Sequence, residues 1–417
     1  MSTSVCSTLA ISGAVVLSGG GQVSLLSPSG NNRIVAVSSG AVLSNVNNTI
    51  AGAGIIGLGG GLAVVNSGTI NANSAATLQL FGLASAVNAG TFEATMSGLL
   101  ILATNVNNNK TITALGTSAD VSINSATISN GAAGLVLASG SGAHVDLSNA
   151  TISGGKLQTL GAGAVIETQT GTTDLLSGCT IAAASLLEAT SGATLTLTSG
   201  TLGVGAVIET LTGGAVLVSG TVHNSGTLFA SGSSSMILIA SGAVVTGGVA
   251  EIGDGTVFIA ASSGENVAFV ASGSGGLVLN GSGHAFTGRV SGFGFGSSAH
   301  SDHAQFIDFV AVSAGASVTY TSANAANTSG TLAVNDGVHS ASVLLVGNYT
   351  LANFSATNVG GHIRITDPEA APPSVNLGLL INYMAASFPS SGVHGGAVVT
   401  EAAEAAKTPL LAHPLTG

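Results

Sequence analysis

The sequence predicts an all-β chain wound into a parallel β-solenoid. It is read most simply as a right-handed β-helix with rungs of about 21 residues, a β-rich C-terminal capping module and a short helical tail. Three observations lead there. Glu167, Glu188 and Glu209 recur at a constant step of 21 in a chain that is only 6% charged. Apolar residues alternate with Ser and Thr in short β-branched runs, as in Leu195-Thr196-Leu197 and Ile237-Leu238-Ile239, which is strand periodicity. Gly and Ser separate those runs, and the chain holds 62 Gly in 417 residues, so corners are supplied at short intervals.

The composition narrows the function classes. Hydrophobic residues make up 45% of the chain, too many for a disordered polymer. They are small, with 4% aromatics and no Trp. Seventeen acids against six bases give a net charge of −11. The bases Arg33, Lys110, Lys156, Arg289, Arg364 and Lys407 stand singly, so no basic patch is available for phosphates. A nucleic-acid partner and an anionic membrane surface are both disfavoured. No apolar run reaches the roughly 20 residues of a transmembrane segment. The start "MSTSVCSTLAISGAVVLSGG" lacks the basic region of a secretory signal. Cys6 and Cys179 allow at most one disulfide and form no Cys/His metal spacing.

The repeat organises residues 1–275. Counting by 21 from Asp146 gives Glu167, Glu188, Glu209, Ala230 and Glu251. The same step gathers Val165, Leu186, Val207 and Leu228, and beside them Ile166, Leu187, Ile208 and Phe229. Two further columns are Leu195, Val216, Ile237, Phe258, Leu279 and Leu176, Leu197, Val218, Ile239, Ala260. A line this short cannot close a core by itself. Stacked on similar lines about 4.8 Å apart, it can. Both the Val207 and Ile208 columns are apolar, so the count alone does not say which one faces inward. Further forward, "VNSGTINA", "VNAGTFEA" and "VNNNKTITA" repeat more loosely. Asn66, Asn88 and Asn107 are the candidates there for a corner ladder of stacked amides.

Stacked acids about 5 Å apart repel one another, and the cost grows steeply in a dry interior. The column Asp146, Glu167, Glu188, Glu209, Glu251 is therefore expected to face solvent or to share cations. Two readings stand: a solvated stripe that keeps a Gly/Ala-rich rod soluble, or a weak Ca²⁺-binding stripe, since hard cations prefer carboxylate oxygens. No other cofactor is suggested.

Residues 276–368 lose the 21-step and gain Phe286, Phe293, Phe295, Phe306 and Phe309. They read as a β-rich cap that either continues the solenoid irregularly or closes it, covering an otherwise bare strand edge. "AVNDGVHSASVLLV" reads as a hairpin turning at Asn-Asp-Gly. Residues 369–417 form a Pro-containing linker and tail. Leu377, Ile381, Met384 and Phe388 in that tail have helical spacing.

Taken together, "SGAVVTGGVAEIG" (241–253), "AFTGRVSGF" (285–293), "GNYTLANF" (347–354) and "LINYMAASF" with the ending "PLLAHPLTG" carry a resemblance to a known group. The chain resembles the β-strand-repeat proteins exported by rhizobia and related proteobacteria, whose solenoids are akin to filamentous-haemagglutinin-type and autotransporter passenger adhesins. It departs from their pattern at "SDHAQFIDF", residues 301–309. The resemblance implies export by a bacterial secretion machinery and display at the cell surface or outside it.

An enzyme needs several acids and a base converging on one face. Asp174, Asp254 and Glu265 are dispersed, and Lys156 is the one base between 146 and 271. The chain is therefore expected not to be an enzyme. A polysaccharide-degrading β-helix is the reading of least weight. "HSDHAQFID" offers His300, Asp302, His303 and Asp308 as a second metal candidate, weighed against a plain polar loop. The function expected from the sequence is a cell-surface adhesin or structural rod. It would contact host or neighbouring-cell glycans and proteins through many weak sites. Its alternative is self-association into a filament or surface layer.

Overall fold

The computed structural model describes residues 7–26, 30–260, 263–281, 286–294 and 305–366, together with a two-stranded pairing of Ser390–Ser391 with Val398–Val399. The predicted solenoid is present: an all-β coil of about 12 turns whose strands pair in parallel with their counterparts one turn away. The predicted tail helix around Leu377–Phe388 lies outside the described residues.

Each early turn contributes three strands, one to each side of the coil. The turn holding Gly54–Gly57, Leu62–Asn66 and Thr69–Ala72 stacks on Leu78–Phe81, Ser85–Asn88 and Thr91–Thr95. From Thr173 onward two sides fuse into long bent strands, Thr173–Ile181, Thr194–Leu202 and Ala215–Asn224. The inward positions form unbroken apolar columns. On the first side Leu78, Leu100, Val121, Val145, Ile166, Leu187, Ile208, Leu228, Ala250, Val267 and Val290 succeed one another in register. All of them are essentially removed from solvent. The Ile208 column is thus the inward one, and Leu186 and Val207 lie on the outer face, half-buried.

On the first side the step of 21 holds from His144 to Thr210 and then fails, and the first failure has a local cause. Thr198 pairs with Ser219, but Gly200 pairs with Val222, so a β-bulge adds one residue to the later strand. The corner that follows has four residues between Leu202 and Val207 and only two between Asn224 and Thr227. The net change is one residue fewer. Glu209 therefore lies beside Phe229, not Ala230, and Leu228 rather than Phe229 continues the inward column. One turn later Ile237 pairs with Val257 and Ile239 with Ile259. These displace Phe258 and Ala260 from the expected columns. Bulges and corners absorb such changes because neither lies in the stacked core.

A second set of columns is polar and internal. Asn45, Asn66, Asn88, Asn108 and Asn130 form a ladder at one corner. Each Nδ2 donates to the Oδ1 of the next Asn at 2.8, 2.9, 2.8 and 2.8 Å. The ladder uses Asn108 instead of the expected Asn107. Val106 points inward in the strand Val106–Asn108, so Asn107 points out and Asn108 in. The amides also hold the corner backbone: Asn88 Nδ2 reaches the Thr111 carbonyl at 2.8 Å. Gly90 completes the "NAGT" corner because a Cβ there would sit 2.1 Å from the Gly68 carbonyl oxygen of the adjacent turn.

The C-terminal end changes from parallel to antiparallel pairing. Gly276–Leu279 still pairs in parallel with Phe306–Ser313. Ser317–Ser322, Ser329–Asn335 and Ser340–Val346 then form an antiparallel meander. Its last strand lies on the edge of Arg289–Ser291, setting Leu345 on Val290. On the other sheet His362–Thr366 covers Phe306–Ser313 and pairs with Ser355–Val359. Both growing edges are thereby blocked. Rings pack together at this end: Phe293 on Phe269 and Phe354, and Tyr349 on Phe354, with centroids 5.1 to 6.5 Å apart. The expected hairpin turns at Asp336-Gly337-Val338-His339, and Asp336 accepts backbone N–H groups from Ser313, Val338 and His339.

Two stability predictions follow from the buried polar groups. Asn88→Ala strands the Asn66 amide and the Asn108 carbonyl inside the coil. It should cost about 2–4 kcal/mol in denaturant unfolding, whereas Asn107→Ala should be near neutral. Arg364→Met should cost about 3–5 kcal/mol, since it leaves the nearly buried Asp308 carboxylate without its bidentate partner. Adding Asp308→Asn to that variant should restore part of the loss.

Candidate functional site

The outer face of the first side carries the acids. Parallel register stacks Ser122, Asp146, Glu167, Glu188, Glu209, Phe229, Glu251 and Ala268 in one column. The four acids from Asp146 to Glu209 are therefore consecutive neighbours, while Phe229 separates Glu251 from them. Repulsion along the stripe is visible in Glu188. Partial burial first, then the flanking Glu167 and Glu209 charges, raise its carboxyl above the usual range.

At the N-terminal end of the stripe a second outward column runs beside the first. His144 lies two residues before Asp146 and so shares its face. Asp120 pairs with His144 across the turn boundary. One ligand-type atom from each of His144, Asp146 and Glu167 lies within 4.8 Å of the others. The His144 Nδ1 to Glu167 Oε1 distance is 2.8 Å. Oδ1 of Asp120 and Oδ1 of Asp146 are shielded from solvent and accept no hydrogen bond. Burial, then the charges of Asp120 and Glu167, push the Asp146 carboxyl up to about 7. Burial pushes Asp120 up to about 6, against the opposing pull of His144.

Sequence counting places Asp146 and Glu167 here but misses His144 and Asp120. His144 is legible from the period of two along a strand. Asp120 is hidden because its turn is 24 residues long before His144, which takes it out of the 21-residue count. Glu188, Glu209 and Glu251 stay in the stripe, outside this group of three.

The second metal candidate separates. His300, Asp302 and His303 lie outside the described residues. Asp308 accepts from Arg364 through both oxygens, at 2.7 Å from Nε and 2.6 Å to the terminal nitrogen, with His362 Nε2 3.6 Å away. The Arg364 guanidinium also lies 3.8 Å from the Phe306 ring centroid. Asp308 therefore ties the cap strand His362–Thr366 to the last coil.

Three further groups with chemical potential are enclosed. Asp174 caps a corner, accepting from the Ala150 N–H and the Thr172 hydroxyl at 2.7 Å each. Cys179 is buried and free, and burial pushes its thiol up to about 11, so it stays protonated. Glu265 is fully buried; Asn224 Nδ2 donates to its Oε1 at 2.9 Å, and its Oε2 has no partner. Burial raises Glu265 to about 7, outweighing that hydrogen bond. A shallow groove of about 200 Å³ over Leu83–Ala86, Thr104, Asn105 and Asn107 holds no carboxylate, imidazole or thiol.

The fold and these sites define a capped parallel β-solenoid with one acidic outer stripe. No protein-family description, curated protein or solved structure matches the chain.

The raised carboxyls set the pH dependence of folding. Asp120, Asp146 and Glu265 hold their protons more tightly folded, near 6, 7 and 7, than exposed groups at 3.8, 3.8 and 4.5. Their contribution is complete below about pH 4 and is lost as pH rises through 6 to 7. In a chelating buffer the denaturation midpoint should fall between pH 5 and pH 8. Glu265→Gln should remove about 2–3 kcal/mol of that change. A midpoint that climbs over this interval would contradict the assignment.

Proposed function

We propose that this chain is a non-enzymatic bacterial β-solenoid, exported and displayed at or beyond the cell surface, where it acts as an adhesin or structural rod. The observation that carries the reading is in-register repetition on the outside. Thr49, Thr69, Thr91 and Thr111 succeed one another on adjacent turns, as do Asp146, Glu167, Glu188 and Glu209. A rigid coil presents each group at a fixed spacing of about 4.8 Å. Weak contacts to a repetitive surface then add without new ordering of the chain, which is how multivalency raises avidity. Host or neighbouring-cell glycans and surface proteins offer such repetition.

The motif resemblance to exported proteobacterial repeat passengers supports export through a secretion machinery, with residues 369–417 as its signal or anchor. Among the described residues no helix is long and apolar enough to cross a membrane. The enclosed state of Cys179, Asp174 and Glu265, and the engagement of Asp308 by Arg364, favour a binding role over catalysis.

The test is retention of the purified chain on arrays of glycans and surface proteins printed at graded densities. The expected result is retention that rises steeply with density, no sugar release, and a monomer by light scattering. Large regular species in solution, with no retention at any density, would replace the adhesin reading with self-assembly. Release of sugar would replace it with an enzyme.

A further inference from the structure

We propose that Asp120, His144, Asp146 and Glu167 form a discrete binding site for a divalent ion of the Zn²⁺ type at the N-terminal end of the acidic stripe. The site is independent of the adhesin reading, and it is more specific than a diffuse Ca²⁺ stripe.

Geometry supplies the first argument. Three donors of metal-binding type, an imidazole nitrogen and two carboxylate oxygens, already lie within 4.8 Å of one another. A tetrahedral shell with bonds of about 2.0–2.2 Å needs its donors roughly 3.3–3.6 Å apart. Small side-chain rotations reach that spacing from the present arrangement. The donors sit on adjacent strands of a parallel sheet, so the backbone beneath them is fixed, as a preorganised site requires.

Unfilled valence supplies the second. Oδ1 of Asp120 and Oδ1 of Asp146 are both shielded and without a hydrogen bond, although shielded carboxylate oxygens ordinarily have partners. The side chains that face this point are Asp120, His144, Asp146 and Glu167, with Ser122 and Glu188 next in the same column. Three carboxyl groups face one imidazole there, so acidic groups are in excess and, when ionised, carry surplus negative charge. A divalent cation matches that charge and supplies a partner for the shielded oxygens, which a single proton cannot do for both.

Ligand chemistry selects the ion. Ca²⁺ takes six to eight oxygen ligands and gains little from imidazole. Nitrogen with carboxylate oxygen suits Zn²⁺ and its first-row neighbours. Glu188 and Glu209 provide no nitrogen beside them in the described structure, so the rest of the stripe lacks this character.

The experiment is isothermal titration of tag-free, chelator-stripped full chain with ZnCl₂, and separately with CaCl₂, alongside thermal unfolding. Nine histidines are present in the chain, so each measurement is repeated on variants. Expected are a saturable Zn²⁺ site with proton release and a raised unfolding midpoint. His144→Ala and Asp146→Asn should each weaken that site at least tenfold and abolish the midpoint shift. Glu209→Gln should bind as the parent does, and Ca²⁺ should bind at least tenfold more weakly than Zn²⁺. The proposal is overturned if Zn²⁺ leaves the midpoint unchanged, or if His144→Ala and Asp146→Asn fold and bind Zn²⁺ as tightly as the parent. Equal or tighter Ca²⁺ binding would overturn the choice of ion. Because Asp146→Asn relieves repulsion, it should fold at least as well as the parent, so lost binding in that variant reports ligation.

Discussion

Everything in this molecule depends on parallel strands lying in register from one turn to the next. Parallel pairing places each residue beside its counterpart about 4.8 Å away, so every choice at one position is made again along the coil. An inward Leu or Ile gains a column of its own kind, and the Leu78-to-Val290 column buries the first side without interruption. The same constraint makes any polar or charged residue a repeated problem. A buried carboxylate column would multiply Coulomb cost at each step. A buried amide column does the opposite, because an amide both donates and accepts. That difference explains why Asn45 to Asn108 stand inside and Asp146 to Glu209 stand on the outer face.

Columns also propagate until something ends them, and the ends are chemically distinct. The C-terminal end is closed by a meander whose last strand lies parallel on Arg289–Ser291 and by the reversed strand His362–Thr366 on Phe306–Ser313, so antiparallel pairing replaces the repeating turns. The closing elements draw on residue types scarce elsewhere: Tyr320, Tyr349, Phe293 and Phe354 pack together, and the Arg364–Asp308 pair fastens the outer strand. Arg364 is one of six bases in the chain. Its placement where a carboxylate is nearly buried follows from the need to pair any charge removed from water.

Much of this was legible in the sequence because stacking converts spatial neighbours into a numerical step. Glu167, Glu188 and Glu209 could be placed on one face from counting alone, and the fold class followed. The limits were set by corner lengths. A bulge after Thr198 and a shortened corner before Thr227 moved Phe229 into the acid column, where counting put Ala230. One residue of strand phase separated Asn107 from the ladder position Asn108. Strand alternation decides such phases, and it is weak where Asn fills three successive positions. Asp120 was invisible for the same reason: a 24-residue turn carried it out of step.

Regular stacking gives the rod its shape, and irregular turns give it local chemistry. Within a uniform stripe each carboxylate meets two similar neighbours, and the environment varies slowly. At Asp146 the stripe meets Ser122 on one side, and the long turn brings Asp120 and His144 alongside. There two outward columns of titratable groups run together. Acid groups that elsewhere share their repulsion along a line are there packed into one spot, and the lone imidazole makes that spot different in kind. A change of turn length, harmless to the core because it is absorbed in a corner, is therefore the simplest physical route by which a repetitive coil acquires a specific site.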